Sequence, residues 1–399
     1  MKIKKPDYLK KLKVNNIPKI YKLPAKIVFC KKCVMSNQRP RIVFDKMGIC
    51  NACRNYEYKS LVNWQDREKQ LKKLLAKFRK NNGDYDVIVP SSGGKDSAIV
   101  AHKLKYEWGM NPLTVTWSPN IYTKIGWDNF QGLINSGLPN ILGTADGTVN
   151  RRLMRDSLIE IGDPFQPFIY GQTNFPARMA IQYGISLIMD GEDGEAEYGG
   201  STESGGETFD LEEQKKYWFS GFPVSKWLKK GYTKKELIFY KSLEPKEYIK
   251  NKITRKFWSY YSFWDPQEHY YYAAEKTGFK PNPDGRSEST YSKYASLDDQ
   301  TDGFHFYFMY LKFGISRCTS DASHEVREGH ISREEAIELV EKYDSEFPKK
   351  YYKTFLEYCN ISDKDFNLIA NSWRNRKIWI KKSDTWKLKH SVGKKGVND

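Results

Sequence analysis

The chain has 399 residues, 39% of them hydrophobic, 15% aromatic and 29% charged; this is a globular composition, long enough for two or three structural units with a substantial core, and it excludes a low-complexity or disordered chain. Sixty-six Lys and Arg against 49 Asp and Glu leave a formal charge of +17, a field that attracts polyanions such as nucleotides, nucleotide-sugars, RNA or anionic membrane surfaces, or that is simply a solvated Lys-rich surface. No uninterrupted apolar run reaches the roughly 18–20 residues of a membrane span and the basic start lacks an apolar signal core, so a cytoplasmic protein is expected; in that reducing compartment the six cysteines favour metal ligation or free thiols over disulfides.

A basic lead-in runs from residue 1 to about 25, followed by a cysteine-bearing unit over about 26–58. In WQDREKQLKKLLAKFRKNNG, Trp64, Leu71, Leu74, Leu75 and Phe78 recur at helical spacing, and Asn81-Asn82-Gly83 ends the helix. The pattern then alternates: a buried strand over 86–91, a helix from Lys95 to about Trp108, a strand over 113–117, a helix in IGWDNFQGLINSG, a strand over 139–144, a helix in VNRRLMRDSLIEIG, a helix in TNFPARMAIQYG, and a strand over 185–191. Strands alternating with helices imply an α/β fold: an open parallel sheet covered by helices on both faces, with ligands at the carboxyl ends of its strands. STESGGETFD reads as a loop, and the chain beyond it as helices and aromatic-rich loops, with a capping box at Ser332 and Glu335. Three regions are expected: 1–60, lead-in and cysteine unit; 61–200, the α/β unit; and 201–399, a mostly helical C-terminal region for substrate.

Ser92-Gly93-Gly94-Lys95-Asp96-Ser97 lies between the first buried strand and an amphipathic helix. Two glycines let the backbone come close to phosphate oxygens, and the N–H groups and dipole of the helix start favour an anion. Ser92 and Ser97 add hydroxyl donors and Lys95 a point charge, whereas Asp96 suits the Mg²⁺ carried by ATP. The pattern is not the Walker sequence. It resembles the SGGxDS signature of PP-loop ATP pyrophosphatases, which hold the β- and γ-phosphates of ATP and release pyrophosphate when the substrate attacks the α-phosphate. That resemblance implies a PP-loop (adenine nucleotide alpha hydrolase-like) fold, with Lys95 and Asp96 as the catalytic pair. It also places adenine at the second strand end, near Thr116 and Trp117, although Trp117 equally suits a core. At the fourth strand end MDGEDGEAEYGG gathers Asp190, Glu192, Asp193, Glu195 and Glu197; one of these is expected to help Asp96 hold Mg²⁺, and Glu192 is the candidate, the alternative being a solvated acidic loop.

Cys30-x2-Cys33 and Cys50-x2-Cys53, separated by 16 residues, match the spacing of a zinc ribbon. Four thiolates close a tetrahedral site and leave no position for substrate, so a structural Zn²⁺ is expected, folding a segment too small to hold itself. Cys318 and Cys359 stand apart and read as ordinary buried residues, and His102, on the helix after the phosphate loop, reads as packing.

The wording around these motifs is more specific. FCKKCVMSNQRPRIVFDKMGICNAC, PSSGGKDS, DGEDGEAEYGG and the run from Asn282 to Asp344 that contains NPDGRSESTYSKYASLDDQTDGFHFYFMYLKFGISRC together resemble the N-acetyl sugar amidotransferase family of bacterial lipopolysaccharide O-antigen and flagellin-glycan biosynthesis, from about Phe29 to Asp344. The resemblance implies conversion of an acetamido group on a sugar, nucleotide-linked or a nonulosonate, into an acetamidino group: the amide oxygen is adenylylated by ATP and ammonia then displaces AMP. No glutaminase signature is readable, and the resemblance implies a separate glutaminase like that of histidine biosynthesis, working with a cyclase-like subunit. Sugar contacts are expected from Glu192, Glu197 and Tyr198 and, between 281 and 327, from Arg286, Lys293 and Arg317, with Asp284, Ser287, Tyr291, Asp298, Asp299, Asp302, Lys312 and Arg327 as further polar candidates or ordinary surface ion pairs. A tRNA-thiolating PP-loop enzyme and a non-catalytic scaffold are the alternative readings. The absence of a second cysteine pair disfavours the first, so nucleic acid is not the expected partner; the intact SGGKDS disfavours the second.

Overall fold

The computed structural model describes residues 12–201, 205–218 and 220–393; the first eleven residues of the basic lead-in and the last six residues lie outside the described part. Five short strands, β1 (Val87–Pro90), β2 (Pro112–Trp117), β3 (Asn140–Gly143), β4 (Leu187–Asp190) and β5 (Thr254–Phe257), form one parallel sheet in the order β3-β2-β1-β4-β5. The register is continuous, with Val87 opposite both Pro112 and Leu187 and Asp190 opposite Phe257. Alternation along each strand divides the core: Val87, Val89, Leu187 and Met189 pack with the helices Trp64–Phe78, Lys95–Tyr106 and Pro266–Thr277, while Ile88, Ile188, Leu113 and Val115 pack with the helices Gly147–Ile161 and Gln166–Gln182. The expected architecture stands: a parallel sheet covered by helices on both faces, a four-cysteine unit before it and a mostly helical region after it.

Three differences from the sequence reading have physical causes. The sheet does not end at residue 200: β5 joins it from 254–257, and its alternating TRKF shows no continuous apolar run because the strand lies at the sheet edge. The helix expected from Thr173 starts at Gln166; Pro167 and Gly171 look like breaks, but Pro sits in the first turn, where it is tolerated, and the bare Cα of Gly171 makes room for the indole of Trp117, whose ring atoms would lie 2.0–2.4 Å from a Cβ there. Near the C-terminus, β6 (Trp379–Lys382) and β7 (Thr385–Leu388) pair as an antiparallel hairpin within the region expected to be mostly helical.

The cysteine unit and the C-terminal helices share a third core. Cys30, Cys33, Met35, Cys50 and Cys53 join Phe304, Phe308, Phe355, Phe366 and Trp373 in one cluster, centred on the stacked rings of Phe304 and Phe355, 3.9 Å apart. Arg333, at the start of a helix opened by the expected Ser332–Glu335 capping box, donates to the carbonyls of Cys33 (3.1 Å) and Cys30 (3.2 Å).

Candidate active site

The order of the sheet reverses between β1 and β4, and the loops leaving the ends of these strands open a crevice there. A cleft of about 1100 Å³ occupies this position, lined by Ser92, Gly94, Asp96 and Ser97 after β1, by Trp117 at the end of β2, and by Asp190, Glu192, Glu195 and Tyr198 after β4.

The phosphate loop is built as its sequence requires. Gly93 has φ +88°, and a Cβ there would lie 2.6 Å from the Cα of Phe130, so the turn is possible only for glycine. Gly94 caps the helix Lys95–Tyr106; the first intrahelical bond runs from Ala98 N–H to the Gly94 carbonyl, which leaves the three preceding N–H groups without helix partners at the end of β1. Ser97 accepts a hydrogen bond from Ser91 at 2.8 Å.

Asp96 is the most constrained group in the cleft. Both of its oxygens lie 2.6 Å from Lys95 Nζ, and Oδ1 lies 3.1 Å from Nδ1 of the buried His269, on the helix Pro266–Thr277. Burial opposes its charge, but Lys95 and His269 together hold the carboxyl well below the usual range. Glu192 shows the opposite behaviour: burial, and next the charge of Asp96, push it up to about 8. The other four acids of the loop are engaged elsewhere. Asp190 grips Arg255 through two bonds of 2.5 and 2.8 Å, Asp193 caps the turn at Glu195 N and also accepts from Gly205 N, Glu195 holds Arg41 at 2.5 and 2.9 Å, and Glu197 pairs with buried Lys59. Two half-buried carboxylates that repel each other and face one cleft suit a hard divalent cation, which needs only one or two carboxylates beside substrate phosphates; Asp96 and Glu192 are the residues that would hold Mg²⁺.

Behind the loop, Asp298 and Asp299 brace it. Asp299 accepts from the backbone and side-chain nitrogens of Asn120 at 2.6 and 2.9 Å, and the Asp298 carbonyl accepts from Thr123 N. Burial pushes the two carboxyls up to about 6 and about 7, respectively. On the opposite side the cleft is lined by Arg39 and Arg41 from the cysteine unit and by Asp163, His305 and Lys312. His305 Nδ1 lies 2.9 Å from Asp163, which keeps the imidazole pKa raised against the effect of burial.

The four cysteines are fully buried, with Sγ–Sγ distances of 3.9 Å (Cys30–Cys53) and 3.7 Å (Cys33–Cys50). Four thiolates about 2.3 Å from one tetrahedral Zn²⁺ stand about 3.8 Å apart, so the donor set fits that ion. A second group, Asp265, Glu328 and His330, also brings ligand-type atoms together, outside the cleft.

Residues 288–392 match the family model described as LPS biosynthesis protein WbpG-like, C-terminal domain. This segment, the WbpG-like part, is similar to that domain; over 288–344 the match bears out the resemblance drawn from the sequence, and it runs on to residue 392, beyond the end expected at Asp344. A stretch of 87 residues is 31% identical to an uncharacterized protein of Methanocaldococcus jannaschii, covering 22% of this chain and 31% of that protein; the chain thus spans about a third of the length of the curated relative it matches. An NH3-dependent NAD synthetase from Campylobacter jejuni, solved with nitrate ion, aligns with 48% of this chain and 93% of its own at 15% identity and a TM-score of 0.29.

The WbpG-like part contributes His305 and Lys312, the latter one of the further candidates for sugar contact, to the cleft, but not Lys293 or Arg317, the foremost cations expected there. Lys293 stands over the ring of Tyr270 at 4.9 Å and Arg317 is paired with Asp321 at 2.9 Å; Arg286, just before the WbpG-like part, is paired with Glu346 at 2.7 and 2.9 Å. None of the three lines the cleft, and neither does Glu197; Glu192 and Tyr198 do. Thr116 is turned into the sheet, donating to the Ser91 carbonyl, while Trp117 forms part of the cleft wall although it is 5% exposed. Lys95 is occupied with Asp96 and is not on the cleft wall. His102 packs between Tyr106 and Tyr272, donating to or accepting from the latter at 2.8 Å. The sequence reading missed Arg39, Asp163, His269 and His305. No spacing links these residues to the motifs; the one available signal was QRPR, a charged and proline-stiffened run between the cysteine pairs.

Proposed function

We propose that the protein is an ATP-dependent amidotransferase that converts the acetamido group of an N-acetylated sugar to an acetamidino group, releasing AMP and pyrophosphate. The observation that carries this reading is the pair Asp96 and Glu192 beside a glycine phosphate loop at the sheet's switch point, joined in one cleft to residues of the WbpG-like part. An amide carbon is a poor electrophile and its oxygen a poor leaving group. Attack of that oxygen on the α-phosphorus of ATP expels pyrophosphate and leaves an adenylylated imidate; ammonia adds to its carbon, AMP departs with the oxygen, and one proton is lost to leave the amidine. Mg²⁺, when bound, supplies charge neutralisation for the phosphates. The chain supplies position and field: the free N–H groups before Ala98 face the anion, Lys95 and His269 fix Asp96, and the cleft walls limit water, which would return the starting amide and waste ATP.

The two cysteines outside the four-cysteine unit are buried, and burial pushes Cys359 up to about 12, a poor basis for sulfur transfer. Ammonia is proposed to come from a separate glutaminase, similar to that of histidine biosynthesis, with a cyclase-like subunit. The test is incubation with ATP, Mg²⁺, ammonium and candidate N-acetyl sugars. Mass spectrometry is expected to show the acetamido oxygen replaced by an imino group, with AMP and pyrophosphate formed in equal amounts. ADP and phosphate as the stoichiometric products would overturn the reading.

A further inference from the structure

We infer that Arg39, carried into the cleft by the chain between the two cysteine pairs, receives an anionic group, carboxylate or phosphate, on the second substrate. The inference rests on the reading above for what that substrate is, but its physical basis is separate. Among the described residues no hydrogen bond or ion pair reaches the Arg39 guanidinium; its Nε is sealed from solvent without a partner, and its nearest aromatic neighbour is the Tyr198 ring at 5.8 Å. The acids that could have served it are taken. Glu195 is clamped by Arg41 and Glu197 by Lys59, and Arg327 donates to the Glu197 carbonyl at 3.1 Å. Burial accordingly holds the guanidinium down at about 10. A half-buried cation without a partner is unfavourable, and its desolvation is offset when a ligand brings the counter-charge.

Position gives the ligand's role. Arg39 lines the same cleft as Ser92 and Asp96 but belongs to the cysteine unit, not to the sheet. The backbone that holds it is fixed locally: Arg39 N donates to the Ser36 carbonyl at 3.1 Å, Cys30 N to the Met35 carbonyl at 2.8 Å, and Arg41 adopts φ +70°. The planar fork matches both carboxylate and phosphate in a bidentate way. The cysteine unit is then a recognition element of the cleft as well as a structural one, and it does the work first assigned to Arg286, Lys293 and Arg317.

The experiment uses the full, zinc-replete chain with Mg²⁺ and a saturating non-hydrolysable ATP analogue. Calorimetry compares N-acetylneuraminate (carboxylate), UDP-N-acetylglucosamine (diphosphate) and neutral N-acetylglucosamine on wild type and R39Q. At least one anionic probe is expected to bind about 10- to 100-fold more tightly than the neutral one, as a charged bidentate contact implies, and which one does so identifies the source of the anion. R39Q is expected to abolish that difference, to keep the affinity for the ATP analogue, and to melt no lower than wild type without ligand, since an unpaired half-buried charge has been removed; a merely structural arginine would lower the melting temperature and weaken all probes alike. The inference is overturned if neither anionic probe surpasses the neutral one, if the difference survives R39Q, or if R39Q loses the ATP analogue instead. Should discrimination depend on Arg39 while no sugar is ever amidinated, the reaction reading fails and the anion site stands.

Discussion

Asp96 is adjacent in sequence to Lys95, yet its chemistry depends on a residue 173 positions away: His269 reaches its Oδ1 at 3.1 Å. The Lys95 ammonium and the His269 ring on one carboxylate keep it ionised and limit its rotation, which prepares it for a metal that arrives with ATP. Asp96→Asn keeps the shape and the backbone cradle but removes the charge. Turnover is expected to fall by at least about 100-fold, the scale of losing one electrostatic stabiliser, while the fold is retained, because the relief of Glu192 from a like-charged neighbour offsets part of the loss of a counter-charge by Lys95. An Asp96→Asn protein that turns over normally would remove the carboxylate from the mechanism. The loop itself was legible because its function is local: glycines, serines, lysine and aspartate act within one turn of chain. The residues that complete the cleft were not. Arg39, His269 and His305 are ordinary side chains in sequence, and only folding gives them a role: it brings Arg39 and His305 to the cleft wall and His269 against Asp96.

At the scale of elements, the four-cysteine unit was legible from spacing alone, because a tetrahedral thiolate site imposes that spacing on the chain. Metal analysis is expected to find about one zinc per chain. Cys50→Ser breaks a site whose sulfurs are fully buried and whose free energy of metal binding is also free energy of folding. Loss of solubility and a destabilisation above about 4 kcal/mol are expected, since loss of a structural metal ranks among the largest single-site effects; thermal denaturation with zinc quantitation checks this, and a fully stable, zinc-free double mutant would refute the structural role. Strands β1, β2 and β4 could be read because they are buried and apolar, and β3, half-exposed at one sheet edge, from its place in the strand–helix alternation. β5 and the β6–β7 hairpin could not: β5 alternates at the other sheet edge, and WIKK and TWKL show mostly exposed positions, so their pairing is set by what lies beside them and not by their own composition. The expected sugar-binding acids Asp298 and Asp299 illustrate the same limit, since a polar run reads as binding surface until it is seen to brace the loop after β2.

At the scale of the whole molecule, three cores surround one cleft, and every wall of that cleft is used: phosphate loop, acidic loop, cysteine unit and WbpG-like part. Among the described residues no helix is long and apolar enough to cross a membrane. Among the described residues no cysteine is exposed as a glutaminase nucleophile would be. Cys318 and Cys359 are both buried, and burial raises both thiols away from the reactive range, whereas a glutaminase nucleophile must be an accessible thiolate. Free ammonium at high concentration should therefore support amidine formation by this chain alone. The rate is expected to rise about tenfold per pH unit well below the ammonium pKa, because the neutral amine is the nucleophile and its fraction grows in that proportion. Glutamine alone is expected to give nothing. With a glutaminase and cyclase-like pair added, glutamine should become effective near neutral pH, because ammonia would be delivered at high local concentration into a site that excludes water. The assay follows sugar, AMP and pyrophosphate with ammonium, with glutamine, and with glutamine plus the added pair. Glutamine-dependent turnover by the purified chain alone would show a nucleophile that none of its described cysteines can provide. Sulfide-dependent modification of tRNA, with every N-acetyl sugar left untouched, would transfer the chain to the tRNA-thiolating enzymes.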